Sequence, residues 1–141
     1  MAYDEQTLNE IYDRTDGRCH ICGKKLSRIN YSLIEGRAAW EVEHSRPRAK
    51  GGMDHLNNLY AACIRCNREK GTVTTQTARA WHGRTRAPLS KEKRREIKQS
   101  NTVLGTLVGA VVGILLAPES LLLCAAVAFL GGKVGYDKNP E

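Results

Sequence analysis

The sequence predicts a small α+β head closed by metal-binding thiols, then a basic linker, then an apolar helical hairpin. Three observations predict this. Four of the five cysteines form two Cys-x-x-Cys pairs, Cys19/Cys22 and Cys63/Cys66, with 40 residues between Cys22 and Cys63. Short strand-like runs at 38–43 and 59–62 sit among helix-like runs, the mixture expected of an α+β domain. Residues 103–117 and 120–132 carry no charge at all.

Charge divides the chain in the same place. Residues 1–100 hold 20 of the 22 Lys+Arg and 12 of the 15 Asp+Glu, a net +8, whereas residues 101–141 sum to −1. A basic head favours a polyanionic partner, nucleic acid or an anionic membrane surface, although a solvated basic face has the same composition. The opening "MAYDEQTLNE" is acidic and lacks an apolar core segment, so it does not read as an export signal. Without export the paired cysteines point to metal rather than to disulfides.

Taken in order, residues 4–15 read as an amphipathic helix with Leu8, Ile11 and Tyr12 on one face, Asp4 as cap and Gly17 as stop. "CHICGKKL" is a tight turn between two cysteines, and 24–37 has no periodicity. Residues 38–43 suit a strand, 44–58 a loop rich in Pro, Gly and Asn, and 59–62 a second strand. Residues 64–70 suit a short helix stopped by Gly71, and 74–81 another with Ala78 and Trp81 on its apolar side. From Arg84 to Lys98 seven basic residues face two acidic ones, and Ser90 after Pro88 opens a charged helix that leads into the apolar tail.

Two Cys-x-x-Cys turns brought together offer four thiolates at the corners of a tetrahedron, the shell of a structural Zn²⁺. Gly23 directly after Cys22 lets the backbone wrap a metal-bound sulfur closely. Such a site is worth about 10–16 kcal/mol in small zinc domains, more than a core of this size supplies. The alternative is two pairs of buried thiols. His20 lies between the first two cysteines but finds the shell complete, and reads as a bystander.

The segment "VEHSRPRAKGGMDHLNNLYAACIRCNREKG" places an acid-imidazole pair, Glu43-His44, where a strand ends, with Pro47, Gly51-Gly52, Asn58 and Asn67 at set intervals after it. Over roughly residues 19–71 it resembles the HNH endonuclease family, whose site is a ββα-metal motif of two strands and a helix. Phosphodiester hydrolysis needs a base of near-neutral pKa, which His44 supplies, and a cation to take up charge on the phosphate. The resemblance implies His44 as general base, Glu43 and Asn67 as ligands of a catalytic Mg²⁺ or Mn²⁺, and Asn58 as the residue that holds the long loop. The family more often has Asp at the first position, and Asn67 stands where His is frequent. Adjacent strand residues point to opposite faces, so Glu43 and His44 meet at one site only if the chain bends there. His55 in the loop is either a second ligand or without a role.

Arg46, Arg48, Lys50, Arg65, Arg68 and Lys70 surround this site and are expected to bind the DNA backbone with little sequence preference. The expected organisation is a zinc-stabilised HNH nuclease domain at 1–83, a basic linker at 84–101, the apolar hairpin at 102–136 and a polar tail at 137–141. Gly105, Gly109 and Gly113 form one small-residue stripe, and Cys124, Ala128 and Gly132 another, with Pro118 and Glu119 marking a turn between them. The stretch is apolar all round and flanked by basic residues, which favours a membrane anchor with both ends on the cytoplasmic side, as at a bacterial inner membrane. The competing reading is a soluble cytoplasmic homo-oligomer joined through the Gly105/Gly109/Gly113 stripe. Function is then expected to be low-specificity DNA cleavage next to a membrane, in phage defence or exclusion. The rivals are a non-catalytic zinc module that binds nucleic acid and a toxin whose tail disrupts membranes.

Overall fold

A computed structural model describes residues 3–116 and 120–138. The chain forms two compact units, 1–91 and 92–141. In the first, helix α1 (Glu5–Asp13) precedes strands β1 (Trp40–His44) and β2 (Leu59–Cys63), helix α2 (Ile64–Lys70) and helix α3 (Thr75–Ala80). Asp4 caps α1 by accepting the Thr7 N–H, and buried Ile11 and Tyr12 form its inner side. The strands pair antiparallel, Trp40 opposite Cys63 and His44 opposite Leu59. The 44–58 segment between them contains two single-turn 3-10 helices, Arg48–Lys50 and Leu56–Asn58.

Trp40 anchors the core at 2% exposure. Its ring lies 5.4 Å from that of Tyr12 and 4.9 Å from that of Tyr31. Replacing such a side chain by alanine costs about 3–5 kcal/mol. On β1 the two-residue period places Trp40, Val42 and His44 on one face and Glu41 and Glu43 on the other. α2 packs on both strands, and its side chains meet the face that carries the two glutamates.

In the second unit α4 (Lys91–Leu116) runs 26 residues without interruption, so the basic and apolar stretches are one helix. α5 (Leu121–Asp137) follows with Ser120 as its cap, accepting the Leu123 N–H. The turn expected at Pro118 and Glu119, and residues 139–141 of the polar tail, lie outside the described residues. α4 and α5 pack through their small residues. A Cβ on Gly109 would stand 2.5 Å from the Val127 carbonyl oxygen, and one on Gly113 2.8 Å from Cys124 Cα. Gly105 meets the Gly131 carbonyl in the same way. The Gly105/Gly109/Gly113 stripe, which the competing reading would use to join a second copy, packs here inside the hairpin, because only glycine lets the two backbones come so close. Leu104, Leu107, Val111 and Leu115 on α4 are all more than half exposed.

Replacing Gly109 by leucine is expected to separate the two helices. Amide hydrogen exchange across residues 121–137 should rise while that of residues 40–70 stays unchanged.

Candidate active site and metal cluster

The first Cys-x-x-Cys turn is built by the backbone. The Gly23 N–H donates to the Cys19 carbonyl at 2.8 Å and the Cys22 N–H to Cys19 Sγ at 3.5 Å. Gly23 has φ +75°, a left-handed conformation that glycine takes without strain. The His20 N–H donates to the Ala61 carbonyl of β2 at 2.8 Å, and the Cys63 N–H reaches Cys19 Sγ at 3.3 Å, which brings the two pairs together. The four sulfurs lie within 4.8 Å of one another. Burial and the neighbouring sulfurs push the Cys66 thiol up to about 12. Thiols this close give up their protons together only to a cation, and four sulfurs at these separations are compatible with tetrahedral zinc. Cys19, Cys22, Cys63 and Cys66 would hold it. His82 Nε2 also approaches Cys66 Sγ, at 3.6 Å.

Glu43 is fully buried, at 0% exposure. His20 Nδ1 stands 3.2 Å from its Oε2, the Lys70 ammonium 3.2 Å from its Oε1, and the Thr75 hydroxyl donates to Oε1. Burial raises its pKa, but the bonds from His20 and Thr75 and the charge on Lys70 outweigh burial and hold the carboxyl below its ordinary range. Burial lowers the pKa of His20 against the pull of Glu43, so the ring is neutral and gives its Nδ1–H to the carboxylate. The ring stacks on Tyr60 at 3.8 Å between centroids, and the Arg14 guanidinium lies 4.4 Å from the centroid of the same tyrosine. His20, read from sequence as a bystander to the zinc shell, is instead a main partner of Glu43.

The sequence reading joins Glu43 and Asn67 on one divalent ion, and in the structure each side chain has other partners. Asn67 Nδ2 donates to Glu41 Oε2 at 3.1 Å, while both Glu43 oxygens are already engaged. An ammonium 3.2 Å from Glu43 also occupies the side from which a cation would approach. The arrangement therefore does not fit Mg²⁺ or Mn²⁺ on Glu43 and Asn67. β1 stays paired through His44, so no bend turns Glu43 and His44 to the same side.

His44 stands on the opposite face, with its side chain 15% exposed and Nε2 2.5 Å from Asp54 Oδ1. Arg48 grips the same carboxylate, Nε at 3.0 Å and Nη2 at 2.7 and 2.6 Å from its two oxygens. The hydrogen bonds from Arg48, then that from His44, hold the Asp54 carboxyl below its ordinary range. Asn58 secures the loop that carries this group. Its Oδ1 accepts the Arg46 N–H at 2.7 Å, and its Nδ2 donates to the Arg46 and Met53 carbonyls at 3.0 Å each. His55 Nδ1 accepts the Asn57 N–H within its own turn.

Of the six cations assigned to DNA, Arg46, Arg48, Lys50, Arg65 and Arg68 are exposed. Lys70 is not, at 4% exposure. Its ammonium lies against Glu43 and donates to the His44 carbonyl at 2.8 Å, because the buried carboxylate needs a counter-charge. Arg68 reaches Glu41 at 3.0 Å and Arg65 reaches Glu69 at 2.7 Å. Sequence reasoning missed Thr75, Glu41 and Asp54. Glu41 alone had a signal, two residues before Glu43 on a strand; Thr75 and Asp54 come from the helix after α2 and from a loop, whose approach no spacing announces.

Two predictions follow from these contacts. The folded chain should carry one zinc per molecule, and removing it with a chelator should abolish the near-ultraviolet signal of Trp40. Glu43→Ala should cost about 3–5 kcal/mol in chemical denaturation by leaving Lys70 buried and unpaired, whereas Glu43→Leu with Lys70→Met should recover most of that loss.

A scan against protein families finds one model, HNH endonuclease, matching residues 19–72. No curated protein and no solved structure matches the chain. HNH nucleases use divalent metals and act on nucleic acid. With the four-sulfur cluster, the two paired strands and α2 all inside the matched segment, residues 19–72 are an HNH endonuclease domain, joined in this chain to a second, apolar unit.

Proposed function

We propose that the chain is an endonuclease that hydrolyses DNA phosphodiester bonds with low sequence specificity. The observation that carries this reading is His44, part-exposed at the end of β1 inside the matched segment and held by Asp54. Opposite a carboxylate, Nε2 carries the ring proton. Nδ1 is then the basic nitrogen, and it makes no hydrogen bond among the described residues. It accepts a proton from water as the oxygen attacks phosphorus, the bond from phosphorus to the 3′ oxygen breaks, and that oxygen takes a proton from solvent, giving 5′-phosphate and 3′-hydroxyl ends as in the family. Arg46 and Lys50 flank this face, and with Arg65 and Arg68 they supply backbone affinity that falls as salt rises.

The apolar unit supports a membrane tether. α4 is long and apolar enough to cross a bilayer by length and composition. At 1.5 Å per residue its 26 residues extend about 39 Å, against a hydrocarbon core of about 30 Å. The charged turns at its start would sit at the anionic cytoplasmic surface. A nuclease held there meets DNA as it enters a cell, which supports a role in defence or exclusion.

One observation favours a second reading, a module that binds nucleic acid without cutting it: Lys70 closes Glu43 to a divalent ion. Incubating the full chain, in mild detergent, with supercoiled plasmid in Mg²⁺, in Mn²⁺ and in EDTA decides between them. Metal-dependent nicking that falls by about 10²–10⁴ in His44→Ala, with retention of the plasmid in gel shift unchanged, establishes the nuclease. A folded chain that shifts plasmid but nicks it with neither metal establishes the binding module. Flotation with vesicles rich in anionic lipid, lost when residues 102–136 are removed, would establish the tether.

A further inference from the structure

We propose that Asp54 is the positioning residue for His44, and that Arg48 serves this carboxylate rather than the substrate in the resting site. The inference rests on the nuclease reading above and deepens it. His44 Nε2 lies 2.5 Å from Asp54 Oδ1, a separation that requires a proton between the two atoms. Arg48 Nε also stands 3.1 Å from His44 Nε2, but it is a donor, as Nε2–H is. Both hydrogens therefore go to the Asp54 oxygen, which Arg48 Nε reaches at 3.0 Å. The carboxylate thus selects the tautomer that leaves Nδ1 unprotonated and sets the ring plane through Nε2.

The rest of the loop over-determines the position of Asp54. Arg48 binds both of its oxygens and starts the 3-10 turn Arg48–Lys50. Asn58 holds the Met53 carbonyl, the residue directly before Asp54, at 3.0 Å. His44 is fixed from the other side by the Lys70 bond to its carbonyl. The imidazole and its acceptor are in this way carried by separate segments, each anchored at its own backbone. Among the exposed cations Arg48 alone has its charge engaged by the acid that orients the base.

The test uses the full chain in mild detergent, as wild type, Asp54→Ala and Asp54→Asn, with circular dichroism to confirm the fold. Asp54→Ala is expected to lower the turnover of plasmid nicking about 10- to 100-fold while KM stays level or falls, because Arg48 is released to the phosphates. Asp54→Asn keeps one oxygen for His44 but sets an amide NH2 against Arg48 Nη2 and removes the charge that stabilises the protonated ring, and its turnover is expected to fall well below that of wild type. Proton NMR of ¹⁵N-histidine-labelled protein at about pH 8, above the ordinary imidazole range, gives a second readout. A protected downfield His44 Nε2–H signal is expected in wild type and Asp54→Asn and absent from Asp54→Ala. Unchanged turnover in Asp54→Ala, or an Nε2–H signal that survives it, overturns the inference. A wild type that does not nick in either metal brings down the nuclease reading itself, a result distinct from an active wild type that is indifferent to Asp54.

Discussion

The first unit depends on one buried ammonium. Lys70, the last residue of α2, binds the carboxylate of Glu43 and the carbonyl of His44, and so joins the end of the helix to the end of β1. A buried ion pair adds little net stability against an apolar pair of the same volume, but losing one partner is costly. Its value is geometric. The pair admits one register between α2 and β1, and both neighbours of that junction, Thr75 and His20, complete the hydrogen bonds of the same carboxylate. His44 emerges from the junction on the face opposite Glu43 with its carbonyl held by Lys70.

Local pattern made much of this legible. α2 falls where the run from Ile64 to Lys70 and the stop at Gly71 place it, and the strands differ from expectation by two residues at most. These elements have a complete local signal: apolar spacing, a cap and a breaker. The Cys-x-x-Cys turns were equally legible, because each pair is closed by backbone bonds within a few residues. The interior of the site was not. Whether Glu43 turns toward an ion or a lysine depends on where Lys70 and Thr75 stand in space, 27 and 32 residues along the chain. A basic residue beside a suspected phosphate site looks the same in sequence whether it faces solvent or a buried acid.

The hairpin shows the opposite balance. Its glycine stripes were visible as a four-residue repeat, and the contacts they make are backbone to backbone, so no side-chain detail was needed to foresee them. What a stripe cannot specify is which partner it meets. Packing against α5 uses the small residues and leaves the large ones, Leu104 and Leu115 among them, on the outside. That outer surface is far more apolar than a water-facing helix pair carries.

His20 links the sulfur cluster to the buried carboxylate. It is lodged between Cys19 and Cys22, and its backbone is tied to β2 while its ring is tied to Glu43. The turn that carries two of the four sulfurs therefore also carries the ring that completes the buried carboxylate. Drawing that turn away from β2 would take one hydrogen-bond partner from Glu43. Closure of the sulfur cluster and completion of the buried carboxylate are in this way coupled through the placement of one imidazole.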